Sequence, residues 1–425
     1  SGLASNYSLS GSFTMDITTR PVTASGSRVY DGSTTVSGAD INAFTNLVGS
    51  ETLSASGSGS VASANVGSGK NVTLGTLALA NGSGSASNYS LSSASFEISQ
   101  RPLTLVGSKV YDGATSIQGS DITTFTNIAG SETLIVTGSG SVSSANVGSG
   151  KSVTTGSLSL ANNTGLASNY SISSTSASIT QRPINLSGSR TYDATRTANG
   201  SDLNLANVVT GETLSMTGSG VLASPAAGTQ TIVNTNTLAL ADGSGSASNY
   251  SLVGGTLTMT ILPRSTSVTG SRSYDGTLTI NPSDLTTFSN LAGSDSLSFT
   301  GSGTVASADV GSGKAVTLGS LALDNSSGVG SNYTLSTATI NITKRVLNLD
   351  GIRAYDASTT ASASDITIGN LVNGENLTLS GSGTVPNNSV EMNKTITLGS
   401  LTIANGSGGT ASNYTLSGGN HTLDI

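Results

Sequence analysis

Acidic residues held at fixed spacing are the first place to look for chemistry in this chain. Asp31, Asp112, Asp193, Asp275 and Asp356 are each followed nine residues later by Asp40, Asp121, Asp202, Asp284 and Asp365. Ten or eleven residues beyond those stand Glu51, Glu132, Glu212, Asp295 and Glu375. Calcium takes about six to eight oxygens, so Asp31, Asp40 and Glu51, or Asp112, Asp121 and Glu132, could supply part of a calcium site. No D-x-D-x-D-G loop accompanies them. The plainer assignment is therefore favoured: a turn former, a helix cap and a surface acid.

The basic residues are equally ordered, with 14 of the 16 in three columns. The first is Arg20, Arg101, Arg182, Arg264 and Arg345; the second is Arg28, Lys109, Arg190, Arg272 and Arg353; the third is Lys70, Lys151, Lys314 and Lys394. Cations repeated beside carboxylates read as ion pairs within or between units, worth little where exposed. A self-formed Lys–Asn crosslink is disfavoured because Thr229-Gln230 stands where the third column needs its lysine. Gly148-Ser149-Gly150-Lys151-Ser152 imitates a phosphate loop, but position 145 is Ala where that pattern requires Gly, so the stretch reads as a hairpin turn. The one histidine, His421, has no cysteine or unique acid pair to work with. Catalysis places one special constellation on a scaffold, whereas here every notable group is copied, which excludes an enzyme as the expected class.

All eleven tyrosines fall in two repeated settings. Tyr30, Tyr111, Tyr192, Tyr274 and Tyr355 open Tyr-Asp-Gly or Tyr-Asp-Ala; Tyr7, Tyr89, Tyr170, Tyr250, Tyr333 and Tyr414 follow Ser-Asn. With no Trp and six Phe, these rings are the largest apolar groups available, and burying one contributes roughly 2–3 kcal/mol. They are read as core anchors. Asn6, Asn88, Asn169, Asn249, Asn332 and Asn413 all satisfy N-x-[ST], a cheap match in a Ser/Thr-rich chain, and read as turn formers.

The elements that position these groups must repeat with them. The Tyr-Asp steps are 81, 81, 82 and 81 residues, so the 425-residue chain is one design used five times, each with its own small core. Residues 1–19 match the close of a repeat; the full units run 20–100, 101–181, 182–262, 263–343 and 344–425. Only 9% of residues are charged and 35% are hydrophobic. A net charge of −7 leaves no footprint for nucleic acid, no cysteine permits a disulfide, and no run of 18 apolar residues suggests membrane insertion. No cofactor is expected unless calcium binds.

Short alternating segments broken by Gly, Ser and Asn every 8 to 12 residues predict an antiparallel β domain of six or seven strands. Asp121-Ile122-Thr123-Thr124-Phe125-Thr126-Asn127-Ile128 departs from that period, with apolar residues at i, i+3 and i+6, as do Ile41, Phe44, Leu47 and Leu285, Phe288, Leu291. It predicts a short N-capped helical turn. The fold class is mainly β, a sandwich or β-grasp-like unit with one short helical turn. Ala194 and Ala357 in place of the turn glycine argue against a required positive φ there. With no linker at Arg101-Pro102 and its equivalents, five units of about 30 Å make an extended, semi-rigid rod.

The stretch R-P-L-T-L-V-G-S-K-V-Y-D-G-A-T at 101–115 and the closing G-S-A-S-N-Y-S-L pattern resemble the YDG repeat domains, related to the MBG repeats, of large filamentous-haemagglutinin-like bacterial adhesins. The resemblance covers essentially the whole chain. It implies an extracellular or cell-surface protein of an adhesin or biofilm matrix, in which the repeats form a stalk and act as a spacer. The other repeats of the same polypeptide are then the main partners. Two alternatives stand beside that reading: a filament subunit self-assembling head to tail, and repeats that bind polysaccharide or ice.

Overall fold

The alternation in Arg20-Pro21-Val22-Thr23-Ala24 folds as the opening strand of the first repeat, with Val22 and Ala24 turned into its core. The computed structural model describes residues 1–325, 329–372 and 374–425. Eight strands make the first repeat: β1 (Arg20–Val29), β2 (Thr35–Ser37), β3 (Ile41–Thr45), β4 (Leu53–Ser56), β5 (Ser58–Val61), β6 (Gly67–Thr73), β7 (Ala78–Asn81) and β8 (Tyr89–Ser99). Six form one sheet in the order β2-β5-β6-β8-β1-β3, and β4 pairs with β7 as a separate ribbon.

The sheet is mixed, not antiparallel as expected. Its first and last strands lie side by side and run parallel, from Arg20 opposite Tyr89 to Val29 opposite Ser99. Both directions present the same alternation of inward and outward side chains, so hydrophobic pattern alone does not separate them. The parallel pair returns as Arg101–Val110 with Tyr170–Thr180, Arg264–Ser273 with Tyr333–Thr343, and Asn348–Ile352 with His421–Asp424. In the first repeat the parallel pair lies inside the sheet, flanked by antiparallel neighbours. Among the described residues no helix crosses the sheet and none is long and apolar enough to span a membrane.

Two compact bodies contain the repeats. The first comprises Ser1–Ile184, Asn207–Leu214 and Asp242–Gly254; the second comprises Asn185–Ala206, Ser215–Ala241 and Gly255–Ile425. In the first, Arg182–Pro183 pairs with Tyr250–Ser251; in the second, Asn185–Thr191 runs beside Thr258–Leu262. Cores do not follow repeat borders either. Within the second body one apolar cluster holds Val268, Tyr274 and Ile340 together with Leu349, Tyr414 and Leu423, so the fourth and fifth repeats share it.

The period-three segment is a strand rather than a helix. A single 3-10 turn, Gly38–Asp40, precedes β3, and the Asp40 side chain accepts from the Ser37 N–H as its cap. Against β1 the register slips between Ser25 and Gly26, which face Ala43 and Ile41, so Asn42 bulges out. A bulge adds one residue to the alternation, turning i, i+2 into i, i+3. The second repeat does the same: Val106 faces Thr124, and Gly107 faces Ile122. Gly26 is required where the turn crosses β1, since a Cβ there would stand 2.1 Å from the Asp40 carbonyl oxygen. A second 3-10 turn, Ala86–Asn88, leads into β8, giving two per repeat where one was expected. In residues 1–19 only the corresponding turn, Ala4–Asn6, forms, with exposed side chains and no strand.

Two further expectations are corrected. Gly148–Ser152 is a bulged strand, with Gly150 at φ 59°, and not a hairpin turn. The third residue of the Tyr-Asp-Gly/Ala turn has positive φ in every copy: 81°, 79° and 74° at Gly32, Gly113 and Gly276, and 64° and 57° at Ala194 and Ala357. The alanines occupy the left-handed region at a cost of about 1 kcal/mol. Ala194→Gly and Ala357→Gly should therefore each stabilise the chain by about that amount, seen as a higher denaturant midpoint at constant slope. An unchanged or lowered midpoint would show that no strain is held there.

Candidate functional site

Each Tyr-Asp-Gly/Ala turn is fixed by a cation two residues before the tyrosine. Asp31 accepts from the Ser33 N–H at 2.9 Å, closing an Asx turn. Arg28 donates to the carbonyls of Ser33 and Thr35 and pairs with Asp31 at 3.3 Å and Asp40 at 3.7 Å. In the second repeat the Lys109 ammonium does this alone, reaching Asp112 at 2.7 Å and the carbonyls of Ala114 and Ser116 at 2.8 Å. Burial pushes the Asp112 carboxyl up, but the hydrogen bonds from Lys109 and the Ala114 N–H, with the ammonium charge beside them, together outweigh it and hold the group below the usual carboxylate range. The second basic column is thus an ion pair within the unit, one of the two placements its spacing left open.

The turn delivers its tyrosine to the next repeat. Tyr30 donates to Glu132 Oε1 at 2.5 Å, and Tyr170 donates to Glu132 Oε2 at 2.6 Å, so one carboxylate of the second repeat ties a phenol from each of two repeats. The two rings meet edge to face with centroids 5.4 Å apart. Tyr111, Glu212 and Tyr250 form the same clasp with both bonds at 2.5 Å, and Tyr274 and Tyr414 meet on Glu375. In the remaining clasp Tyr192 and Tyr333 both use Asp295 Oδ2, at 2.9 and 2.8 Å. The edge-to-face arrangement is kept in all three.

A second contact flanks the clasp. Asn169 accepts from the Val66 N–H at 2.9 Å and donates to Asn65 at 3.0 Å, both in the preceding repeat. Asn249 and Asn413 do the same with Val147 and Asn146, and with Val310 and Asp309; Asn332 accepts from the Ala227 N–H. Asn169, Asn249, Asn332 and Asn413 are buried, which removes them as glycan acceptors, and they are joint residues rather than mere turn formers. The loop they grip is pinned by the third basic column, with Lys70 and Lys151 donating to the carbonyls of Ser63 and Ser144. In the third repeat Gln230 donates to the Ala226 carbonyl at 3.0 Å. A neutral amide can replace the lysine because the role is donation to a carbonyl.

The junction arginine completes the joint. Arg101 grips the carbonyl and side chain of Asn127 and donates to the Tyr30 carbonyl at 3.1 Å. Asn46, Asn127, Asn207, Asn290 and Asn370 all sit at positive φ, between 59° and 71°, to face this arginine. Asparagine adopts that conformation more readily than other side-chain-bearing residues. Only Gln100 separates β8 from the opening strand of the second repeat, Arg101–Val110, and its side chain donates to the Ser168 carbonyl.

Most of the sequence-selected residues therefore meet, though not for the chemistry their spacing suggested. Tyr30, Tyr111, Tyr170, Tyr192, Tyr250, Tyr274, Tyr333 and Tyr414 are buried in four joints, and Tyr89 is buried on Glu51. Tyr355 departs from them, being 59% exposed. The calcium candidates have other partners: Asp31 and Asp40 face Arg28, Asp112 faces Lys109, Asp121 caps the Gln118 N–H, and Glu51 and Glu132 serve tyrosines. Among the described residues no three His, Cys, Asp or Glu side chains are placed to hold a metal. The third acid is a clasp rather than a surface group. His421 is buried with Nε2 at 2.6 Å from the Leu416 carbonyl. Sequence reasoning missed the Asn46 column and the Val66 loop; recurrence of Asn five residues before each joint carboxylate was the available signal.

A chain in which every unit presents copied residues to clasp the next belongs to the class of tandem β-repeat arrays. The profile of the YDG domain matches residues 16–96, 99–177, 178–260, 256–340 and 343–422, and the chain belongs to the YDG domain family. No curated protein matches the sequence.

Burial first, and then the hydrogen bond to the shared carboxylate, push the phenols of Tyr111, Tyr170, Tyr192 and Tyr414 up to about 12. A raised tyrosine favours the neutral phenol in the folded state. Its stabilising contribution is complete below about pH 10 and is lost as pH rises toward 12. Denaturant midpoints should fall across that window, and Tyr111→Phe should shrink the fall; an unchanged slope in the variant would refute the assignment. Glu212→Ala strands two phenols and should cost roughly 2–4 kcal/mol, against less for Glu212→Gln, which keeps an acceptor. Equal losses from the two substitutions would deny the carboxylate its bridging role.

Proposed function

We propose that this chain is a non-catalytic spacer: the stalk of a bacterial cell-surface or secreted adhesin or biofilm-matrix protein, acting outside the cell. The observation that carries this reading is the joint. Each of the four adjacent pairs of repeats is held by a Tyr–carboxylate–Tyr clasp, an edge-to-face ring pair and a buried asparagine. A spacer must resist bending and separation between its units, and contacts of this kind supply that resistance where flexible linkers would not. The surface suits the task, since hydroxyl groups keep the chain hydrated while the few charges are spent on turns and joints.

Copying supports the same reading. A binding or catalytic module needs one distinctive site, whereas here the most elaborate constellation is the one that joins repeat to repeat. Membership of the YDG domain family agrees with a repeat-built structural protein. The adhesive or matrix context rests on the resemblance to filamentous-haemagglutinin-like adhesins.

Small-angle scattering of the chain tests the spacer role directly. Five units in line should give a maximum dimension of at least ~150 Å, whereas a compact 425-residue globule would measure about 60 Å across. A compact profile, or one that collapses and extends with ionic strength, would sink the reading.

A further inference from the structure

The third residue of the Tyr-Asp-Gly/Ala turn varies, and so does the residue it meets on the next repeat, three positions before the joint carboxylate. Gly113 faces Val209, and a Cβ at 113 would stand 3.0 Å from Val209 Cγ1. Gly276 faces Val372, and a Cβ there would stand 2.7 Å from Val372 Cγ1. Carbon atoms do not pack that closely, and valine's branched side chain has few rotamers that would turn the methyl away. In the first joint the opposing position is Ala129, and a Cβ at 32 would meet nothing nearer than Glu132 Oε1 at 4.0 Å. In the third the methyl is already present as Ala194, and the opposing position is the buried Ala292.

Alanine facing valine is thus the pairing that no joint uses. Backbone conformation does not account for this, because Ala194 and Ala357 show that the turn accepts a Cβ at positive φ. The sorting follows the size of the residue across the joint.

We propose that this residue pair is a steric determinant of which repeat docks on which, and that the fifth repeat's face at Ala357 selects a YDG-type repeat carrying Ala at the position of Val48. That face is open. Tyr355 is 59% exposed and Val390 is 73% exposed, whereas their counterparts Tyr274 and Val310 are buried and half-buried in the fourth joint. The complementary half on the first repeat is likewise uncovered by the described residues of this chain: Asn88 and Val48 are exposed, whereas Asn169 and Ala129 are buried. Glu51 there already holds Tyr89 and offers the carboxylate that a tyrosine of a preceding unit would use. The four internal joints show what covers such surfaces. Val48 makes this chain's own first repeat a mismatched occupant of the Ala357 face, and Val48→Ala turns it into a matched one.

Two experiments on the full chain test this, and neither depends on the spacer reading. First, Gly276→Ala is made alone and together with Val372→Ala, and unfolding equilibria are compared; the strain of positive φ enters both comparisons and cancels. The single change should cost about tenfold more in the equilibrium constant beside Val372 than beside Ala, a coupling of about 1.4 kcal/mol. The same cycle at Gly113 and Val209 should agree in sign, and equal costs in both backgrounds would overturn the pairing. Second, sedimentation equilibrium up to about 1 mM, the range of weak association, compares the wild-type chain with Val48→Ala. The variant should associate head to tail at least about tenfold more tightly, and adding Tyr355→Ala should abolish this without lowering the melting temperature. A Val48→Ala chain that stays monomeric, or associates no more tightly than the wild type, would overturn the docking rule.

Discussion

One carboxylate shared between two phenols is the interaction on which this architecture depends. Glu132 accepts from Tyr30 of one repeat and Tyr170 of the next, and it is only half-buried, so its charge remains partly hydrated. That placement matters energetically. A fully buried anion would lose several kcal/mol of hydration, whereas a carboxylate at the edge of a ring pair gains two charge-assisted bonds at modest cost. The rings supply the apolar contact, and the carboxylate fixes which hydroxyls meet and at what angle.

The remaining charges are subordinate to that clasp. Arg28 and Lys109 shape the turns that present Tyr30 and Tyr111, Lys70 and Lys151 hold the loops that meet the joint asparagines, and Arg101 bonds a tyrosine's carbonyl from behind. A chain with 9% charged residues thus commits most of them to geometry. The shared apolar cluster of the fourth and fifth repeats follows from the same design, since Tyr274 and Tyr414 extend one core across a repeat border.

The period, the β class and the burial of most of the tyrosines were legible because copies could be compared and apolar alternation read. Joint partners were not, because a recurring Glu looks alike whether it faces solvent or a phenol 102 residues away in sequence. The supposed helix failed for a local reason: Asn42 is extra to the ladder, and a bulge imitates a helical spacing over six residues. Ala194 and Ala357 misled in the opposite direction, since their presence suggested an ordinary φ where the turn holds them at 64° and 57°. Propensity marks what is easy for a residue, and tertiary contacts can hold it elsewhere.

The joints are copies but not equals. Where Glu132, Glu212 and Glu375 give each phenol its own oxygen, Asp295 lacks one methylene and offers the single oxygen Oδ2 to both Tyr192 and Tyr333. Position 226 is Ala where the first, second and fourth joints have Asn65, Asn146 and Asp309 to receive the buried amide. The first change keeps both clasp bonds but at 2.9 and 2.8 Å, and the second removes a bond, while the edge-to-face ring pair stays at 5.4 Å. Apolar contact is non-directional, but hydrogen bonds fail over a few tenths of an ångström. The joint with fewest of them therefore offers the least resistance to tilting and separation.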